Sequence, residues 1–337
     1  MTANRRQHHN PQTHLRHFAA GDRLRVFKRP AHPQQAPESF ETSTQNVANE
    51  RDLYTIVTED GARDFKLDDG LQAIEKQLNK ALAPLSEDRN LTAAEFADLQ
   101  VLAAIQDGRK PNSVHGLTRA VGEIHAISRY LYSKHAPHLT DGEIDDRLRE
   151  QWGPTKLSGA AALDPKNLAL TVLSKTVFEF PQDFVDIYHP CLVTTNAQDF
   201  MTGDAPVVYF DPTLEQHPFL GFDRSLPTIE VTFPLTRRHL LFMSHLAVPR
   251  HVVANKTAVA MLNNRTAYGC RQIYAFPTVD ARAKARQLMD IKSPLGSMNI
   301  TSLILCTLIS DAGRAEIGAS MSGGWARLTD VFRPGRQ

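Results

Sequence analysis

Asp199-Phe200-Met201-Thr202-Gly203-Asp204-Ala205-Pro206-Val207-Val208-Tyr209-Phe210-Asp211 is the stretch on which the fold turns. It reads as the start of a strand, a tight turn at Gly203-Asp204, and a second, buried strand from Pro206. Gly203 supplies backbone freedom for the turn, and Pro206 keeps Ala205 out of the helical region. Asp204 is thereby presented at the mouth of an apolar strand, where a carboxylate is costly without a partner or a task.

Upstream of this stretch the apolar residues recur with a helical period. Leu71, Ile74, Leu78 and Leu82 share one face. Thr92 and Glu95 form a capping box that opens a second helix, with Phe96, Leu99, Leu102 and Ile105 on its apolar face and Gly108 as its stop. A third helix carries Leu117, Val121, Ile124, Ile127 and Leu131. Thr140 and Glu143 form another capping box, and Asp164-Pro165 starts a further helix to about residue 178.

Downstream the period is two. Strands are predicted at residues 191–195, 207–210, 228–233, 239–243 and 271–276, with a helix over 251–267. Near the N-terminus, residues 24–28 alternate as a half-buried strand does, 30–38 read as a loop, and 52–58 as extended chain. The fold class is α+β: an N-terminal strand segment, a helical middle, and a mainly antiparallel C-terminal sheet. Residues 1–280 form one unit, with strands over 20–60, helices over 69–180 and sheet over 190–280. Residues 281–337 form a C-terminal extension. The helical insertion leaves the N-terminal strands free to return and pair with the C-terminal sheet.

With 42% hydrophobic residues, the 337-residue chain has the material for a sizeable core. The formal net charge of +1 gives no global field for nucleic acid or membrane. The charge is uneven, however: residues 1–30 hold seven Arg or Lys side chains against Asp22 alone, and His8, His9, His14 and His17 lie among them. Cys191, Cys270 and Cys306 fit neither a disulfide framework nor a Cys-x-x-Cys site. The opening residues lack the apolar core of a secretory signal. The longest apolar run, residues 300–309, is about half of the roughly 20 residues a membrane span requires. These features predict a cytosolic protein with no membrane partner.

Several short motifs fall in a recognisable order. Gln7-His8-His9-Asn10-Pro11-Gln12-Thr13-His14-Leu15-Arg16-His17-Phe18-Ala19 is followed by Asn46-Val47-Ala48, Leu53-Tyr54-Thr55, Ile74-Glu75 and Gln106-Asp107-Gly108-Arg109-Lys110-Pro111. Thr202-Gly203-Asp204-Ala205-Pro206-Val207, Phe233-Pro234-Leu235 and Asn263-Asn264-Arg265 complete the series. Together, over about residues 7–276, they resemble a bacterial family of domains of unknown function, number 4238. That family opens on a His-His pair, where this chain has Gln7-His8, and places Ser where this chain has Gly203. The resemblance implies no established chemistry; it does imply a bacterial protein, in a family some of whose members are linked with defence against phage.

The candidate catalytic residues are His8, His9 and Asp204; the candidate substrate-binding residues are Arg16, Arg109 and Arg265. The imidazoles suit a general base or a metal ligand, or else belong to a basic segment that anchors the N-terminus. Asp204 suits a divalent metal, the orientation of a histidine, or the capping of its own turn by an Asx hydrogen bond. Glu75 and Arg109 suit an ion pair between two helices as well as phosphate binding. A divalent metal is the candidate cofactor and nucleic acid the candidate partner, through the basic N-terminal segment. No phosphate loop, nucleophile elbow or dinucleotide fingerprint is present. Two functions fit: a nuclease or phosphodiesterase of the defence type, and a non-catalytic sensor or binding module for nucleic acid or a phage protein.

Overall fold

The computed structural model describes residues 5–30, 35–87, 89–152, 159–179, 181–210 and 227–277. Residues 281–337 and Asp211 lie outside them. The elements run β1 (Arg6–His8), α1 (Gln12–Arg16), β2 (Arg23–Lys28), β3 (Glu38–Ser43), β4 (Asn49–Arg51), β5 (Ile56–Val57) and β6 (Arg63–Asp64). The helical middle follows: α2 (Lys66–Leu82), α3 (Ala93–Gly108), α4 (Pro111–His135), α5 (Asp141–Trp152), α6 (Pro165–Glu179) and α7 (Pro181–Ile187). The chain then forms β7 (His189–Thr194), β8 (Thr202–Gly203), β9 (Val208–Phe210), β10 (Glu230–Pro234), β11 (His239–Ser244), β12 (His251–Val253), α8 (Lys256–Gly269) and β13 (Gln272–Ala275). The fold is α+β, as the periodicity predicts.

Two larger sheets organise it. The first has the order β12-β7-β11-β10-β9, antiparallel except where β12 runs parallel to β7. The second has the order β3-β2-β13-β8, antiparallel throughout. In it β2, from the N-terminus, pairs with β13, so the early strands do return across the helical insertion. Period-two alternation along β11 divides the core: Leu241 and Met243 pack with Phe96 and Leu99 of α3, while Leu240 faces Val259 of α8 and Phe18. A second cluster joins Leu71, Ile105, Leu117, Leu170 and Tyr54 across α2, α3, α4, α6 and the β4–β5 turn.

Local signals set the helix ends. Both capping boxes form: Thr92 Oγ1 accepts from Glu95 N–H at 3.2 Å, and Thr140 N–H donates to Glu143 Oε2 at 2.8 Å. Asp164 accepts from Asn167 N–H at 2.8 Å at the start of α6. Three expectations are corrected. Ile127 is 52% exposed: Val121 and Ile124 pack on the cluster that holds Leu117, and the next packed residue of α4 is Tyr132, on Ile144 and Leu148. Residues 251–253 are strand rather than helix, and α8 begins after Asn255, whose side chain accepts from Ala258 N–H at 3.0 Å. Finally, Gly203 is needed for space and not for an unusual turn: a Cβ there would meet the Cys270 sulfur and stand 2.7 Å from the Gln272 carbonyl oxygen.

Candidate site at the N-terminal strand

The N-terminal segment is built into the protein rather than draped over it. Leu15 and Phe18 are fully buried, in two different clusters. Pro11 precedes α1 in an extended conformation and sets its direction. On one side β1 pairs with β4; on the other it is held by the C-terminal end of α3. There Gln106 Nε2 donates to the His9 carbonyl at 2.6 Å, and Arg109 Nη2 donates to the His8 carbonyl. Gln7, where the family pattern places a histidine, is buried: its amide donates to Thr55 Oγ1 at 3.1 Å and accepts from Tyr54 N–H at 2.6 Å.

Arg109 is 2% exposed and its guanidinium pairs with Glu75 at 2.7 Å, joining α2 to α3. The Tyr54 hydroxyl donates to the Arg109 carbonyl. His8 stands beside this pair. Burial lowers its pKa; Glu75 acts against that shift and Arg109 adds to it. The His8 Nε2 atom has no hydrogen-bond partner among the described residues. His9 is deeper, and burial pushes its pKa down to about 3, with the Arg109 cation acting in the same direction. Its ring meets the backbone carbonyl of Asp204.

Asp204 therefore does converge with the histidine segment, but through its main chain. Its carboxylate turns the other way and accepts from Arg271 N–H at 2.9 Å, while its own N–H donates to the Gln272 carbonyl at 3.0 Å. This ties the turn to β13, across the sheet, in place of the local Asx bond. Burial raises the Asp204 carboxyl to about 6, with the N–H groups of Gln272 and Arg271 opposing. Asn10 links the same turn to α1: its amide donates to the Gly203 carbonyl at 2.8 Å, and its oxygen lies 2.8 Å from His14 Nδ1. His14 Nε2 lies 2.8 Å from the Pro234 carbonyl, at the end of β10. His14 thus serves a different contact from His8 and His9.

The remaining candidates are dispersed. Arg16 is exposed on α1 and has no side-chain partner among the described residues. Arg265 contacts Glu230 at 2.5 Å and lies over the Phe210 ring at 4.2 Å. Asn263, two residues earlier, accepts from Met201 N–H at 2.9 Å and donates to the Asp199 carbonyl at 3.0 Å, fixing the approach to Asp204. Among the described residues, no three of His, Cys, Asp and Glu come together in a way that could hold a metal ion. No helix of the described residues is long and apolar enough to cross a membrane.

Sequence reasoning named Asn10, Tyr54 and Gln106 only as motif residues, without their contacts to this segment, and did not name Arg51. Each of the first three acts through hydrogen bonds to distant chain, which leave no trace in local periodicity. No curated protein and no solved structure matches this chain. The family described as protein of unknown function (DUF4238) matches residues 6–277, and the chain belongs to it.

Proposed function

We propose that this protein binds nucleic acid through its N-terminal strand and the exposed basic residues around it. One contrast supports the reading. Arg6, Arg16 and Arg51 are exposed and lack a carboxylate partner among the described residues, whereas Arg5, Arg63, Arg109 and Arg237 are each paired with one. Unpaired arginines on a firmly held segment suit phosphate contacts, which supply affinity without reading sequence. The net charge of +1 makes this a local feature of the surface. The test is fluorescence anisotropy of the full chain with labelled single-stranded and duplex DNA and RNA. Binding that weakens as salt rises is expected; no binding to any of them at low salt ends the reading.

A second reading, phosphodiester hydrolysis, is favoured by His8. Burial beside Glu75 and Arg109 lowers its pKa, and its Nε2 is buried without a hydrogen-bond partner among the described residues, so it serves as a proton acceptor only if the ring turns to meet an attacking water. The described residues hold no three-ligand cluster for the divalent metal expected from the sequence, so the metal is a variable of the assay and not part of this reading. Phage nucleic acid is the first substrate to try, given the defence role that the family resemblance implies. His8→Ala should abolish cleavage in Mg²⁺ or Mn²⁺ with an unchanged melting temperature. A His8→Ala protein that cleaves like the wild type removes His8 from the chemistry, and a wild type that cleaves none of these substrates removes the hydrolytic reading and leaves binding in place.

A further inference from the structure

The register of the β1–β4 ribbon places two arginines together. Arg6 stands opposite Arg51, Gln7 opposite Glu50 and His8 opposite Asn49. His9 N–H donates to the Ala48 carbonyl and Asp52 N–H to the Arg5 carbonyl, both at 2.9 Å. In an antiparallel ladder hydrogen-bonded and non-hydrogen-bonded pairs alternate, so Arg6–Arg51 and His8–Asn49 are of the second kind. There the Cα atoms approach to about 4.5 Å and side chains are closest.

Like charges directly opposite one another destabilise a ribbon. Nothing described offsets this pair. Neighbouring carboxylates are engaged elsewhere: Asp68 and Asp69 by Arg5 at 3.2 and 2.8 Å, Asp52 by Arg63 at 2.8 Å, and Glu50 by His115 at 3.0 Å. Both arginines are exposed, while Gln7 between Arg6 and His8 points inward. The outward face therefore carries Arg6 and Arg51, with His8 half-buried at its end. Asn49 is withdrawn from it, donating to the carbonyls of Gln45 at 3.0 Å and Val47 at 3.1 Å.

We propose that Arg6 and Arg51 form a clamp for one backbone phosphate of a nucleic acid, a site that rests on the nucleic-acid reading above. Two planar guanidinium forks at the closest cross-strand spacing match the oxygens of a single phosphodiester, and its negative charge relieves their repulsion. The next rung along the face is His8, which is half-buried, with its Nε2 shielded from solvent.

The experiment measures affinity of the full chain for a duplex DNA over a range of salt, for the wild type, Arg6→Ala, Arg51→Ala, the double variant and Arg16→Ala. Each single clamp variant should bind roughly tenfold more weakly, as expected for a lost charge-assisted hydrogen bond. The salt slope of the double variant should fall by about 0.9, the value for one phosphate. A fall of twice that size means two separate phosphates and overturns the clamp. If the double variant binds as the wild type does while Arg16→Ala weakens binding, the clamp falls and the nucleic-acid reading stands. If the wild type binds no nucleic acid, both fall. Thermal melting adds a separate check: the double variant should melt at or above the wild-type temperature, and a marked fall would assign the pair to the fold instead.

Discussion

Asn10 and Gly203, 193 residues apart, share a buried hydrogen bond of 2.8 Å from the side-chain amide to the main-chain carbonyl. Through it the N-terminal segment holds the turn that presents Asp204. Asn10→Ala leaves the Gly203 carbonyl buried without this donor. It should destabilise the protein by about 1–3 kcal/mol in urea unfolding. A loss under about 0.5 kcal/mol, the scale of ordinary surface changes, would show that water or another group serves the carbonyl equally well.

Gly203 and Cys270 should be energetically coupled. Gly203→Ala drives a methyl group toward the Cys270 sulfur and the Gln272 carbonyl, costing about 1–3 kcal/mol. Cys270→Ala removes the sulfur but leaves the carbonyl at 2.7 Å, so the double variant should recover part of that loss. The measurement is a double-mutant cycle on urea unfolding, with a coupling of at least about 0.5 kcal/mol expected. Strict additivity would mean that the strands separate to admit the methyl group.

Glu75→Ala should be more damaging. It leaves the buried Arg109 guanidinium without its carboxylate, and breaking such a pair costs about 3–5 kcal/mol. Calorimetry of Glu75→Ala and of the double variant Glu75→Ala/Arg109→Met separates the pair from its parts. The double variant should be the more stable of the two. If it is not, the hydrogen bond from Arg109 to the His8 carbonyl outweighs the ion pair.

Acid stability follows from His9, His14 and Asp204. His9 and His14 are both held down to about 3 by burial, so the unfolded imidazoles bind protons that the native ones refuse. Below about pH 6.5 the unfolded state binds more protons, and stability falls as pH falls toward 3. Asp204 has the opposite sign. Its carboxyl, raised by burial to about 6 from an ordinary value of about 3.9, binds a proton more readily in the native state; its contribution falls as pH rises through that window. Urea midpoints between pH 4 and 7.5 should therefore show a steeper acid loss in Asp204→Asn than in the wild type. Parallel profiles would show that the native Asp204 titrates like an unfolded one.

Much of the framework is determined by sequence alone, because the interactions that set it lie within a few residues of one another. Thr92 with Glu95, Thr140 with Glu143 and Asp164 with Asn167 start their helices, and Phe96, Leu99, Leu102 and Ile105 recur at the spacing that buries one face of α3. The alternation along residues 239–243 likewise identifies β11 before any partner strand is known. The Glu75–Arg109 pair was legible as a motif, and so was the crowding of histidines near the N-terminus. Only the tertiary structure decided what those residues do. The pairing of β2 with β13 and of β1 with β4 joins chain that is remote in sequence, and register there is fixed by packing on both faces. That register sets Arg6 against Arg51 and turns His9 to the Asp204 carbonyl. The Asp204 carboxylate turns to Arg271, and Gly203 is required by the closeness of Cys270, neither of which a local pattern records. Local propensity acts over a turn of helix or a pair of strand residues, whereas the site is assembled by contacts between segments that meet only once the core has closed.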